Sequence, residues 1–272
     1  MKKIFSISLL FFSLLFFSQK KWDLKFYNEL AGNEYIIYAD NSEVMPMSVK
    51  FSFKMINLKS SIANDEIIVI PANTKRFLVA KITPLNAREG NQFSYTTTFN
   101  FGNAAQETFD EDYLYSLPFG KGKTHLIYQG YYGKFSHQKD AALDFDMKIG
   151  DPVYAAREGT VVLTEDSNLQ GCPKISCAKF NNKVLIMHND GTFADYAHLK
   201  YKGVAVKKGD EIKKGQLIGY SGNTGFSSGP HLHFSVFINR IDGSRTFIKT
   251  KFKTSQGDGI LLEEGKSYTK ND

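Results

Sequence analysis

The stretch Ser221-Gly222-Asn223-Thr224-Gly225-Phe226-Ser227-Ser228-Gly229-Pro230-His231-Leu232-His233-Phe234 sets a loop with three glycines directly before a strand-like run that continues to Ile238. Side chains on a strand alternate between faces, so His231 and His233 share one side, roughly 6 to 7 Å apart. One imidazole can then hold a metal while the other faces the group on which the metal acts. The pair also fits two surface histidines on a half-exposed strand. A second period-two run, Tyr196-Ala197-His198-Leu199, puts Tyr196 and His198 on one face and Ala197 and Leu199 on the other. By itself, a histidine beside a leucine reads as a structural residue. Upstream, His137 is followed by Asp140, Asp144 and Asp146. Two histidines and one carboxylate around zinc leave a fourth position for water, the open arrangement of catalytic zinc. Zinc brings the pKa of that water to about 7 and polarises a carbonyl oxygen. Aspartates beside apolar residues are equally common in plain turns and strand ends.

Around these residues the chain reads as all-β. All six histidines lie between 125 and 233, among the runs Thr124 to Tyr128, Val153 to Ala155, Thr160 to Thr164, Lys183 to His188, Thr192 to Leu199 and Gln216 to Tyr220. No segment there has a convincing helical period. Residues 22 to about 103 alternate short β-branched and aromatic runs with Asn, Asp, Gly and Pro, for example Val49 to Met55, Phe77 to Ile82 and Phe93 to Phe101. That pattern predicts an antiparallel sandwich. It carries neither His nor Cys and no catalytic constellation. The polar segment Gly102 to Asp112 is a plausible boundary. The expected organisation is a signal peptide over 1–18, a β-rich accessory domain over 19–105, a catalytic domain over 106–250 and a tail over 251–272.

The first residues point to export, with an uncleaved amino-terminal anchor as the competing reading. Lys2 and Lys3 precede a run from Ile4 to Ser18 made only of apolar residues and serine. Fifteen such residues are short for a membrane span but suit the apolar core of a signal peptide. Export, to a periplasm or to the exterior, is expected, with no integral span after the signal is removed. In such a compartment Cys172 and Cys177, the only cysteines of the 272 residues, can close a small loop as a disulfide. A metal site built on them would need two more soft ligands nearby, and there are none. Hydrophobic residues at 42% and charged residues at 23% exclude a disordered tail, a collagen-like repeat and a multi-span membrane protein. The net charge of +6 comes with lysines mixed among Asp and Glu throughout. It is no nucleic-acid footprint.

The motifs gain weight from their order. Ser136-His137 is followed by Ala142-Leu143-Asp144-Phe145-Asp146-Met147, Gly150, Pro152-Val153-Tyr154-Ala155-Ala156 and Gly159-Thr160-Val161-Val162. Then come Val184 and His188, Tyr196-Ala197-His198-Leu199, Gly209, Gly215-Gln216-Leu217-Ile218-Gly219, Gly222-Asn223-Thr224-Gly225 and Gly229-Pro230-His231-Leu232-His233-Phe234. Over residues 125 to 240 this closely resembles the lysostaphin-type (LytM-like) zinc metallopeptidases, exported enzymes that cut peptide bridges in bacterial peptidoglycan. The resemblance implies an antiparallel β-sheet peptidase domain, Zn2+ as cofactor and peptidoglycan peptides as substrate. It makes His137, Asp144 and His233 the zinc ligands. It makes His231 and His198 the catalytic pair that activates water and stabilises the charged intermediate, with His231 preferred as the base. The compact family pattern has its first His and Asp four apart, whereas His137 and Asp144 are seven apart. Asp140 is therefore a rival ligand and Asp146 a weaker one. His188 reads as structural because Asp190-Gly191 looks like a hairpin turn, and His125 matches no motif.

Two other classes of function compete. Val206 to Leu217 is similar to the hairpins of biotinyl and lipoyl carrier domains, but Met147-Lys148 lacks the second flanking residue of a modified lysine. Some members of the peptidase family have lost ligands and act as binding modules or cell-wall regulators. That reading predicts missing motif residues, and this chain keeps all five.

Overall fold

The computed structural model describes residues 22–271; the expected signal peptide lies outside them. The protein is nearly all-β, with one short 3-10 turn at Ile175–Phe180 among the described residues. No helix there is long and apolar enough to cross a membrane.

The dominant element is a nine-stranded sheet. Its path runs from Glu211–Ile212 through Gly159–Glu165, Lys183–Met187, Phe193–Ala197, Leu232–Asn239, Ala142–Phe145 and Thr124–Gln129 to Ser267–Thr269, and Arg245–Ile248 also pairs with Leu232–Asn239. Every pairing in it is antiparallel. Its strands alternate as period two requires. Leu143, Phe145, Val184, Ile186, Ala194, Tyr196, Leu232, Phe234 and Val236 form one side and are buried in the main apolar cluster.

The opposite side is set by register. Gln129 pairs with Asp144, Asp144 with His233, His233 with Ala197, and Ala197 with Lys183. These five residues form one row across five strands. The residues expected as a tail are built into the fold. Lys251–Thr254 pairs in parallel with Leu114–Ser116, Ser267–Thr269 pairs with Thr124–Gln129, and Phe252, Leu262 and Tyr268 are buried in the main cluster. Their apolar positions were legible, but these short strands have partners more than a hundred residues away.

Before residue 102 the chain forms two antiparallel sheets. One has four strands, Leu24–Ala31, Glu34–Asn41, Thr74–Pro84 and Leu58–Ser60; the other has three, Ile67–Ile70, Met47–Ile56 and Gln92–Phe101. Ile37, Ala39 and Ile82 from the first and Val49, Phe51 and Ile70 from the second are buried in one shared cluster. A third cluster joins this region to the long sheet. Met45 and Met47 pack with Leu185, Phe193 and Phe237. Gly102 must be glycine there: its φ is +85°, and an added Cβ would lie 2.7 Å from Cε2 of Phe193. Polar contacts frame the junction. Asn239 Nδ2 donates to the Phe101 carbonyl at 3.1 Å, Asn100 Nδ2 donates to the Arg240 carbonyl at 2.8 Å, and Lys208 pairs with buried Glu43.

Candidate metal centre

Three of the five expected residues converge at one point. His137 Nε2 lies 3.3 Å from Asp144 Oδ1, His233 Nδ1 lies 3.0 Å from the same oxygen, and the two ring nitrogens are 3.2 Å apart. Ligands of a tetrahedral zinc with bonds of about 2.0 to 2.1 Å sit about 3.3 Å from one another. The donor set and its spacing therefore fit zinc. Among the described residues this is the group of three His, Cys, Asp or Glu donors able to hold a metal. Asp140 lines the cleft without joining that group, and its backbone N–H donates to the His137 carbonyl. Asp146 lies past the end of the Ala142–Phe145 strand and is exposed.

Each ligand is held from behind. Asp144 is buried, on the strand that pairs with both the Gln129 and the His233 strands. Gln129 Nε2 donates to Asp144 Oδ2 at 2.7 Å, and Gln129 is fixed through Ser136, whose N–H donates to Gln129 Oε1 at 2.9 Å. His137 Nδ1–H donates to the Gly130 carbonyl at 3.1 Å, which leaves Nε2 as the donor atom for a metal. Burial opposes charge on both His137 and Asp144. Their mutual hydrogen bond and attraction win, so His137 titrates above its ordinary value and Asp144 well below the usual carboxylate range. Gln129 was missed from the sequence. A glutamine ending a strand carries no motif, and only the register reveals its partner.

The other two histidines stand beside this cluster. The His231 and His198 ring centroids are 4.5 Å apart, and His198 is 5.8 Å from His233. His231 Nδ1–H donates to the Gly229 carbonyl at 2.8 Å, and its Nε2 lies 3.8 Å from Asp144 Oδ1. His198 Nδ1–H donates to the Thr224 carbonyl at 2.7 Å. Both tautomers are thereby set, with Nε2 available on each. His198 adopts a left-handed backbone with φ of 62°, pinned where its N–H donates to Asn181 Oδ1 at 2.8 Å. Such strain in a non-glycine residue costs about 1 to 3 kcal/mol and persists where the surroundings enforce it. Burial pushes His198 down to about 3 and also lowers His231, so both rings are neutral near pH 7. His188 and His125 lie apart from the cleft: His188 Nδ1–H donates to the Glu158 carbonyl, and the His125 ring packs 4.6 Å from that of Phe119.

The cleft around the centre measures about 370 Å³, and among the described residues none before 128 lines it. One wall is Pro173, Ile175 and Ala178, in and beside the loop closed by the Cys172–Cys177 disulfide. Tyr128, Phe135 and Phe226 line it as well. The cleft is mixed, with apolar walls at Tyr128, Phe135, Ile175 and Phe226 and a polar floor that carries the candidate metal ligands and the neutral imidazoles.

Comparison with known proteins agrees. Residues 138–244 match the model of peptidase family M23. The chain carries an M23 peptidase domain. Its matched segment opens one residue after His137, which the fold nonetheless brings to the centre. Lysostaphin of Staphylococcus simulans is 40% identical over 119 residues, 43% of this chain and 22% of that protein. The peptidoglycan DD-endopeptidase ShyA of Vibrio cholerae is 40% identical over 95 residues, 35% of this chain and 19% of that one. The M23 match thus spans about a fifth of the length of these relatives. Among solved structures, the catalytic domain of Staphylococcus simulans lysostaphin superposes with a TM-score of 0.34 at 34% identity, covering 46% of this chain and 87% of that domain.

Proposed function

We propose that this protein is an exported zinc metalloendopeptidase that hydrolyses peptide bonds in peptidoglycan stem peptides or crosslinks, in the periplasm or after secretion. The observation that carries the reading is the convergence of His137 Nε2, Asp144 Oδ1 and His233 Nδ1 within 3.0 to 3.3 Å of one another, with His231 beside them. The apolar run near the start and the disulfide support export, and the wall-cutting activities in the names of the M23 relatives support the substrate.

Zinc bound there supplies a Lewis acid for the scissile carbonyl and activates water near neutral pH. The protein supplies geometry and proton handling. His231, neutral and held through Nδ1 by Gly229, takes the proton of the attacking water at Nε2 and passes it to the leaving amine. His198, fixed through Nδ1 by Thr224, presents an unprotonated Nε2 beside the centre, where it accepts a hydrogen bond from the attacking water alongside His231. Gln129 keeps Asp144 turned toward the centre. Residues 22–105 line no part of the cleft, which favours an accessory role such as wall docking over a plug of the metal centre.

The test is digestion of isolated peptidoglycan with the purified chain, with and without a chelator, followed by mass spectrometry for new peptide amino termini. Chelator-sensitive termini are expected, and they name the bond. Absence of new termini with zinc bound would overturn catalysis in favour of a silent module that binds or regulates other wall hydrolases.

A further inference from the structure

The segment closed by the Cys172–Cys177 disulfide reaches both His198 and His231 from outside the long sheet. The 3-10 turn Ile175–Phe180 begins inside the disulfide ring and runs on to Asn181, whose N–H donates to the Ala178 carbonyl at 3.3 Å. Asn181 Oδ1 in turn accepts the His198 N–H at 2.8 Å. At the start of the ring, Gly171–Cys172 pairs in parallel with Gly225–Phe226, and the Cys172 carbonyl accepts the Ser227 N–H at 3.2 Å. Ser227 Oγ lies 3.2 Å from His231 Nδ1. The contact is close enough to require glycine at 225, where an added Cβ would lie 2.8 Å from Asn181 Cβ.

The candidate metal ligands are supported in another way. Asp144 and His233 lie within paired strands, and His137 is tied to Gly130. His198 and His231 instead stand just past a strand end, one after Phe193–Ala197 and the other before Leu232–Asn239. His198 also keeps a left-handed backbone, which a residue other than glycine rarely adopts unless its neighbours enforce it. The neighbour that enforces it at the backbone, Asn181, ends a 3-10 turn with no buried residue. Without apolar burial to offset the entropy of ordering, such a segment depends on its covalent closure.

We propose that Asn181 is a positioning residue for His198, and that the Cys172–Cys177 bridge orders the segment ending in Asn181 and so completes the catalytic pair, while the metal ligands are held independently. The inference rests on the peptidase reading and ties full activity to a compartment in which the bridge forms.

The test uses the zinc-loaded full chain and a synthetic crosslinked peptide. Asn181→Ala removes the acceptor of the His198 N–H and is expected to lower kcat about 10- to 100-fold, the cost of a displaced catalytic group, with KM and zinc content held. Asn181→Asp keeps an oxygen at that position and restores most of kcat. Asn181 also lines the cleft, so a rise in KM alone would make it a substrate contact and overturn the positioning role. Cys172→Ser/Cys177→Ser opens the ring. Its kcat falls to a similar extent with zinc still bound, and KM rises too because Pro173 and Ile175 line the cleft. Unchanged kcat in Asn181→Ala or in a folded double variant overturns the proposal, as does loss of zinc together with kcat. Amide hydrogen exchange separates the proposal from the peptidase reading. If the unaltered protein cuts nothing, exchange at His198 about tenfold faster in both variants, with the Leu232–Asn239 strand unchanged, still supports the brace. Equal exchange overturns it.

Discussion

Following two neighbouring strands along one face of the long sheet leads from Ala197 to Asp195 to Phe193 and from His233 to Ser235 to Phe237. At one end lie the candidate metal ligands and two neutral imidazoles, of His231 and of His198 in its left-handed backbone. At the other, Phe193 and Phe237 pack against Met47 and Phe101 of the three-stranded sheet and Met45 in the bend before it. The apolar end stabilises by removing surface from water. The polar end is held differently: burial of Asp144 and His137 opposes their charges, and their mutual hydrogen bond and attraction outweigh it. Four residues of strand thus separate a surface that secures the fold from one that carries the candidate metal centre. The first two sheets attach to the stabilising end and leave the cleft open.

Substitution at each end should give opposite results. His233→Ala is expected to lose zinc by metal analysis and to reduce peptide hydrolysis to background, with little change in melting of the metal-free protein. Asp140→Ala should keep both zinc and activity; metal loss there would move the carboxylate assignment from Asp144. Phe193→Ala should do the reverse of His233→Ala. It removes a ring packed 5.1 Å from Phe101 and 5.9 Å from Phe237 and should destabilise by about 3 to 5 kcal/mol in denaturant titration. Zinc affinity and kcat of the folded fraction should hold. Loss of zinc in Phe193→Ala would show that the two ends are coupled.

A smaller effect sharpens the polar end. Gln129→Leu removes the donor to Asp144 Oδ2 while keeping the size of the side chain. Loss of such a supporting hydrogen bond typically weakens metal affinity about 10- to 100-fold, readable by competition with a chromophoric chelator. Unchanged affinity would mean that the strand alone orients Asp144.

What the sequence disclosed divides along the same line. His137, Asp144, His198, His231 and His233 were singled out through the family resemblance that their motifs carry in order, and the structure gathers His137, Asp144 and His233 into one cluster with His198 and His231 beside it. The strands bearing them were legible from period-two alternation. Gln129, Asn181 and Thr224 were not, because each acts on a residue from another strand or loop through a generic amide, hydroxyl or backbone group. The apolar end was equally hidden. Met45, Met47 and Phe101 look like ordinary core residues of the first sheets, and only the tertiary structure places them on Phe193 and Phe237. Lys251–Thr254 and Ser267–Thr269 were read as tail because short strands owe their formation to distant partners.

His188 gives the last test, on a buried histidine that takes no part in the cleft. It is 1% exposed, with Arg157, Glu158, Asp190 and Tyr115 around it. Its N–H and the Thr192 carbonyl close the turn through Asp190 and Gly191. Burial is the main cause that brings its pKa down to about 4 from the ordinary 6.5. The unfolded chain therefore takes up this proton before the folded one does. Stability supplied by the neutral ring is complete above about pH 6.5, falls as pH drops toward 4, and falls no further below that. At 1.36 kcal/mol for each pKa unit, the loss between pH 7 and pH 5 is about 2 kcal/mol. His188→Asn keeps a donor near the Nδ1 position but cannot titrate, so its denaturation midpoint should be flatter than that of the unaltered protein over this interval. Parallel pH profiles for the two would locate the acid sensitivity elsewhere, and the four neutral or ligating histidines of the polar end would be the next groups to vary.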